Sequence, residues 1–388
     1  MKKILFVANV YSHLYTFHRP YIQMLKDNGC QVDVIATRDD RAVENADNCY
    51  YWNLTRSPFS FRNISAYYQL KKLVRKERYD LVHCHTATAA AVVRLVIRAL
   101  RKKLETKILY TAHGFHFYEG SPRIFWLLYY PVEKFLSRYT DGIVLINSED
   151  YNLTIQNGFK NKKTYYINGI GIQSKRFENA DIKNRKKLRR EEGYIENQFL
   201  MIYVAEFIYR KNHKFLVDAS LELAKQIDNF KILFVGRGAV KQAIQEYAIS
   251  VGADKYIDFL GVRWDLDRLF PMCDIGVSSS RQEGLGLAIA EEMLCGLPVL
   301  VSRIRGMSDL VINGETGFLY KQESISDFVK HAMDFFESPQ KRIEMGKAAY
   351  NYVQKFKIEQ ILKSMAKIYS ELLCVEIDCN NSTLKYVQ

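Results

Sequence analysis

The sequence predicts an α/β protein of two doubly wound, Rossmann-like domains facing a central cleft, with helices at the C-terminus. Three observations carry this prediction. The chain of 388 residues is about twice the usual length of one domain. Short apolar runs with strand-favouring residues alternate with amphipathic helical stretches, and this series occurs twice. A polar, charge-rich segment, residues 173–197, separates the two series.

In the first half, residues 4–8, 32–36, 80–84, 108–112 and 142–146 are short, mainly apolar runs without regular alternation, with helical patterns at 61–78 and 87–102. Helices covering both faces of a parallel sheet bury its strands on both sides, which removes the alternation. The opening MKKILFVANVYSH has two lysines before its apolar run. The run stops at Asn9 and no small-residue cleavage site follows, so it reads as a first strand and not a secretory leader. Residues 1–172 are assigned to the first domain, 173–197 to a linker and 198–355 to the second domain. Residues 356–388 are assigned to a C-terminal helix and tail that cross back to the first.

The second series has strands at 199–204, 232–235, 256–260, 275–278 and 299–302, then helices at 324–337, 339–355 and 358–374. The last residues, including Asn380, Asn381 and Ser382, are expected to fray. In open α/β sheets ligands bind beyond the carboxyl ends of the strands, which puts the expected site between the halves.

Composition excludes several classes. With 48% hydrophobic and 13% aromatic residues, two cores can be built and disorder is excluded. The seven cysteines form no CxxC pair, so they read as reduced, buried thiols of a cytoplasmic protein. No run approaches the roughly 18 apolar residues that span a bilayer. The net charge of +13 is clustered at Lys71, Lys72, Arg75, Lys76 and Arg78, at Arg94, Arg98, Arg101, Lys102 and Lys103, and from Lys183 to Arg190. Such clusters suit an anionic phospholipid surface, a lipid pyrophosphate or nucleic acid, or are simply solvated helix faces.

The richest chemistry lies between Ser278 and Pro298. Gly284 and Gly286 allow backbone N–H groups to approach a ligand closely, and a helix beginning near Leu287 adds partial positive charge. With Leu285 between the glycines, this is a cradle for a diphosphate. Glu283 precedes the helix and Glu291 lies in its second turn. A carboxylate accepts two hydrogen bonds from neighbouring hydroxyls, so Glu291 suits a ribose and Glu283 a sugar.

With these flanks, the Glu283 and Glu291 pair resembles the E-x7-E element of the family 4 retaining glycosyltransferases, whose fold is GT-B. The resemblance continues through Gly296-Leu-Pro298, Gly306 and Gly314-Glu-Thr-Gly317-Phe-Leu and covers nearly the whole chain. It implies a UDP-sugar donor bound by Arg210, Lys211, Gly236, Val262, Glu283, Gly284, Leu285, Gly286, Leu287 and Glu291. Lys211 takes the position of the lysine that stabilises the leaving diphosphate. The chain departs from the family at Glu206, where arginine is common, and Arg210 is the candidate replacement. Gly236-Arg-Gly238 lacks the third glycine of a dinucleotide fingerprint and reads as the turn beside the donor.

In the first half, His113 stands at the end of the strand 108–112. The resemblance gives it the position facing the transferred sugar, and with Lys211 and Glu283 it completes the candidate catalytic set. Asn9, His13, His18 and Arg56 are the acceptor-side candidates. Gly171 replaces the aspartate usual after Asn168-Gly169-Ile170 and is assigned a hinge. The aromatic run from Phe125 to Pro131 suits an anionic membrane interface or a packed helix.

The resemblance to bacterial capsular and exopolysaccharide enzymes implies a hexosyl or N-acetylhexosaminyl transferase acting on a lipid-linked saccharide. It would be cytoplasmic and peripheral on the inner membrane face, with no nucleic-acid partner, no cofactor and no metal. Two other readings stay open: a UDP-sugar epimerase on the same fold, and a non-enzymatic basic module that binds membrane or nucleic acid.

Overall fold

A computed structural model describes residues 1–39, 43–57, 60–177 and 184–379. Lys183 and the tail residues Asn380, Asn381 and Ser382 lie outside the described residues. The chain forms two compact units: unit 1 is Met1–Gly171 with Ile358–Gln388, and unit 2 is Ile172–Lys357.

The strands of unit 1 are β1 (Lys3–Val10), β2 (Gln31–Thr37), β3 (Asn48–Tyr51), β4 (Leu81–His85), β5 (Lys107–Ala112), β6 (Gly142–Leu145) and β7 (Lys163–Tyr166). Among the described residues they make one parallel sheet in the order β3-β2-β1-β4-β5-β6-β7. The central strands are buried along almost their whole length, with Ile4 to Ala8 wholly inaccessible. The edge strands β3 (NCYY) and β7 (KTYY) are largely exposed and carry no continuous apolar run.

Order reverses between β1 and β4, so the segments leaving their carboxyl ends diverge and open a crevice. The helix Ile358–Leu373 belongs to this unit, and Tyr369 on it is hydrogen-bonded to His83 of β4 at 2.8 Å. Gly171 explains its own departure from the family's aspartate. Its φ is +92°, and a Cβ there would lie 2.4 Å from Ile358 Cδ1 and 2.9 Å from the Ile358 backbone.

Unit 2 has β8 (Phe199–Val204), β9 (Phe230–Val235), β10 (Ile257–Gly261), β11 (Ile275–Ser278), β12 (Val299–Ser302) and β13 (Gly317–Tyr320). Among the described residues they form a second parallel sheet, β10-β9-β8-β11-β12-β13, whose reversal falls between β8 and β11.

Two expectations are corrected. The described part of 173–197 is not a free linker but part of unit 2. Its helix Arg185–Glu191 is clamped by Arg189, which is 2% exposed and donates to Asp274 Oδ2 at 2.7 Å and to the carbonyls of Met272, Glu196 and Gln198. Arg94 is likewise no surface cation. It is 1% exposed, pairs with Glu133 at 2.8 Å and lies over the Tyr110 ring. A guanidinium facing a buried carboxylate is held by charge-assisted hydrogen bonding, which sequence clustering of charges does not reveal.

Candidate active site

In unit 2 the segments following β8 and β11 meet because these strands are neighbours at the reversal. Lys211 ends a short 3-10 turn after β8, and Glu283 lies in the loop after β11. Lys211 Nζ donates to Glu283 Oε1, which also accepts from Ser280 Oγ at 2.7 Å. Arg210 Nη1 lies 4.0 Å from Glu283 Oε2, and Arg210 remains half exposed. The sheet therefore delivers Glu283, Lys211 and Arg210 to one point, although they lie up to 73 residues apart in sequence.

A pocket of about 520 Å³ opens beside this cluster and is lined by Glu206, Lys211, Gly236, Arg237, Val262 and Arg263, among others. Lys211, Gly236 and Val262 are the donor residues expected from sequence that fall in it. Arg237 and Arg263 bring positive charge to the wall that carries Glu206, and Arg263 closes the segment 259–263 that the resemblance sets near the nucleobase. Arg263 is held by a two-pronged pair with Glu192 at 2.9 Å and by Asp265 at 2.7 and 2.8 Å. Arg237 was legible only as the middle of Gly236-Arg-Gly238.

The glycine turn leads into the helix Leu287–Leu294, and Gly286 caps it with φ +90°. A Cβ at Gly286 would lie 2.7 Å from Met307 Cε, so both conformation and space favour glycine. The side chain of Leu285 is 4% exposed and points into the core, leaving only its backbone for a ligand. Glu291 is partly buried in the second turn, and burial raises its carboxyl from 4.5 to about 7 against the opposing pull of Arg176. The adjacent Glu292 is wholly buried, neither of its carboxylate oxygens has a partner, and its carboxyl is pushed well up by burial and by the charge of Glu291.

In unit 1 the crevice between β1 and β4 is lined by histidines. His13 and His18 follow β1, His85 ends β4, and His113 follows β5. His113 Nε2 lies 3.3 Å from His13 Nε2 and 3.3 Å from His85 Nδ1, and the His18 ring stacks on His85 at 3.7 Å. Burial, first, holds all four rings well below the usual histidine range; His13, which also feels the charge of Arg56, falls to about 4. They are therefore neutral near pH 7.

His18 and His113, separate candidates in sequence, are thus neighbours, and His85 is the member that sequence reading passed over. The signal was present in His83-Cys84-His85, since residues two apart share one face of a strand. Asn9 is 5% exposed and accepts from Thr86 Oγ1 at 2.7 Å, which fixes it as a structural partner of the same rim. Thr86 itself sits at φ +65°, a strained value for a β-branched residue. Arg56 is exposed.

The segment Arg123–Leu128 is a surface helix with none of its residues buried; Leu127 is 72% exposed. Its Leu127 and Leu128, with Phe61 and with Ile64 and Tyr68 of the helix Arg62–Glu77, line an apolar groove of about 810 Å³. Among the described residues no helix is long and apolar enough to cross a membrane.

Known proteins resemble this chain in sequence and in fold. Residues 184–352 match the family described as "Glycosyl transferases group 1", and residues 3–147 match "Glycosyl transferase 4-like". EpsD of Bacillus subtilis is 36% identical over 369 residues, 95% of this chain and 96% of that protein. The UDP-Gal:alpha-D-GlcNAc-diphosphoundecaprenol alpha-1,3-galactosyltransferase of Escherichia coli is 26% identical over 280 residues, 71% of each chain. The crystal structure of Anabaena HepE in complex with UDP has a similar fold, with a TM-score of 0.77 at 20% identity over 96% of this chain and 100% of that one.

Proposed function

The chain belongs to the group 1 glycosyltransferases and has their GT-B fold, and from that premise we propose that it moves a sugar from a UDP-sugar to a lipid-linked saccharide during surface-polysaccharide synthesis. The observation that carries the donor half of this reading is the meeting of Lys211, Arg210 and Glu283 beside the Gly236 pocket at the sheet reversal of unit 2. The acceptor class rests on the diphosphoundecaprenol substrate named for the Escherichia coli relative.

The diphosphate lies against the turn at Gly284 and Gly286, where the start of the helix Leu287–Leu294 and the cations Lys211, Arg210 and Arg237 stabilise its charge. Glu291 receives the ribose hydroxyls, and Glu283 holds Lys211 and a hydroxyl of the transferred hexosyl or N-acetylhexosaminyl group. The bond from the anomeric carbon to the β-phosphate oxygen breaks and its electron pair leaves with UDP. An acceptor hydroxyl oxygen bonds to that carbon from the same face, and its proton passes to the departing phosphate. His113 hydrogen-bonds a hydroxyl of the sugar. Catalysis is positioning and electrostatic stabilisation of the leaving group.

The protein works as a peripheral enzyme on the cytoplasmic membrane face. Phe61, Ile64 and Tyr68 are exposed at helical spacing, and the basic residues Lys72 and Arg75 continue the same face. Apolar side chains beside cations suit the boundary of an anionic bilayer. Purified protein is incubated with UDP-sugars and undecaprenyl-diphosphate saccharides, and products are read by mass spectrometry. The expected product is an acceptor one sugar longer; release of free sugar or an epimer alone would refute the transferase reading.

A further inference from the structure

We propose that His13, His18, His85 and His113 form a site for a divalent transition-metal ion in the crevice of unit 1. Each can offer one ring nitrogen, and the four nitrogens lie within 4.8 Å of one another. Two of the separations, His113 Nε2 to His13 Nε2 and His113 Nε2 to His85 Nδ1, are 3.3 Å. A tetrahedral ion with metal–nitrogen bonds of about 2.0–2.1 Å has nitrogen–nitrogen edges of about 3.3–3.4 Å, so these contacts already have its spacing.

Hydrogen bonding accounts for this arrangement poorly. An imidazole nitrogen carries either one proton or one lone pair, so His113 Nε2 serves one of its two neighbours well and leaves the other without a linear bond. The remaining nitrogens are worse off. His18 is 1% exposed and neither of its nitrogens has a partner; His85 is wholly buried and its Nε2 has none. Buried polar atoms without partners are costly, and a cation that takes the lone pair of one His18 nitrogen removes that cost for it, while His85 binds through the Nδ1 that lies 3.3 Å from His113 Nε2. His83, also on β4, is the contrast: its two nitrogens are matched by Tyr369 and Thr111, each at 2.8 Å.

The donor set selects the ion. Four imidazoles without a thiolate or carboxylate suit Zn(II), Co(II), Ni(II) or Cu(II) and not Mg(II) or Ca(II). Metal on His113 Nε2 fixes the ring proton on Nδ1, which has no hydrogen-bond partner among the described residues. Resting on the transferase reading, that N–H is then the group that donates to the sugar hydroxyl.

The test uses the full chain, purified without a histidine tag, treated with chelator and titrated with Co(II) alone. The expected result is one equivalent bound with the visible absorption of four-coordinate cobalt. His18→Ala and His85→Ala should each weaken binding about 100-fold or more, while His116→Ala, on an exposed residue outside the cluster, binds as wild type. Should circular dichroism show that the two buried variants do not fold, the partly buried His13→Ala decides by the same criterion. No stoichiometric binding by the wild type, or wild-type affinity in folded cluster variants, overturns the proposal. UDP binding to unit 2 is measured in parallel; its absence would sink the transferase reading and leave the metal site standing.

Discussion

Replacing Glu291 by glutamine should make the protein more stable, and only above a certain pH. Burial in the helix Leu287–Leu294 raises the Glu291 carboxyl from 4.5 to about 7, so the folded chain holds a proton that the unfolded chain has released. Stability from that proton is fully present below pH 4.5 and is lost as pH rises toward 7. A carboxyl titrating near 7 instead of 4.5 costs the fold about 3 kcal/mol at pH 8. Glu291→Gln resembles the protonated form in shape and carries no charge, so it escapes this cost. Its removal also relieves the repulsion on Glu292, which acts in the same direction.

Urea unfolding of the two proteins should coincide at pH 4.5 and separate by about 3 kcal/mol at pH 8, the variant being the more stable. The ligand reads the opposite sign. If ribose hydroxyls donate to an ionised Glu291, uridine, which has no phosphate to titrate, should bind wild type about tenfold more tightly at pH 8 than at pH 6. The variant should show no such rise and bind more weakly at pH 8. A stability difference that stays constant from pH 4.5 to 8 would refute the buried-carboxyl argument; wild-type uridine affinity in Glu291→Gln would refute the ribose assignment.

Lys211→Ala removes the cation paired with Glu283 and should lower kcat by about 10²–10³ in the sugar-transfer assay, with a smaller change in donor KM. Gly286→Ala forces a side chain into φ +90° beside Met307; unfolding should lose about 1–2 kcal/mol, and calorimetry should show weaker UDP binding as the cradle shifts. Arg94→Ala leaves Glu133 buried without its partner and should cost about 3–5 kcal/mol, whereas Arg94→Met with Glu133→Leu should lie much closer to wild type in the same denaturant assay.

The doubly wound halves were legible because the central strands are mainly apolar without regular alternation, as strands covered on both faces are, and because helical patterns separate them. Edge strands β3 and β7 escaped because half-exposed positions tolerate Asn, Lys and Tyr. The segment around Arg185–Glu191 read as a linker since its charges outnumber its apolar residues. Arg189 reverses that reading through hydrogen bonds to groups up to 85 positions away.

By itself the sequence determined the two Rossmann-like series, the glycine turn before the helix at Leu287 and the spacing of Glu283 and Glu291. These are local: periodicity, backbone freedom and helix rise fix them within a few residues of chain. Tertiary structure alone decided that Lys211 meets Glu283, that Arg94 is a buried ion pair, and that histidines 13, 18, 85 and 113 share one crevice. Strand order brings distant loops together, and the register of neighbouring strands is set by packing between segments that no local pattern records.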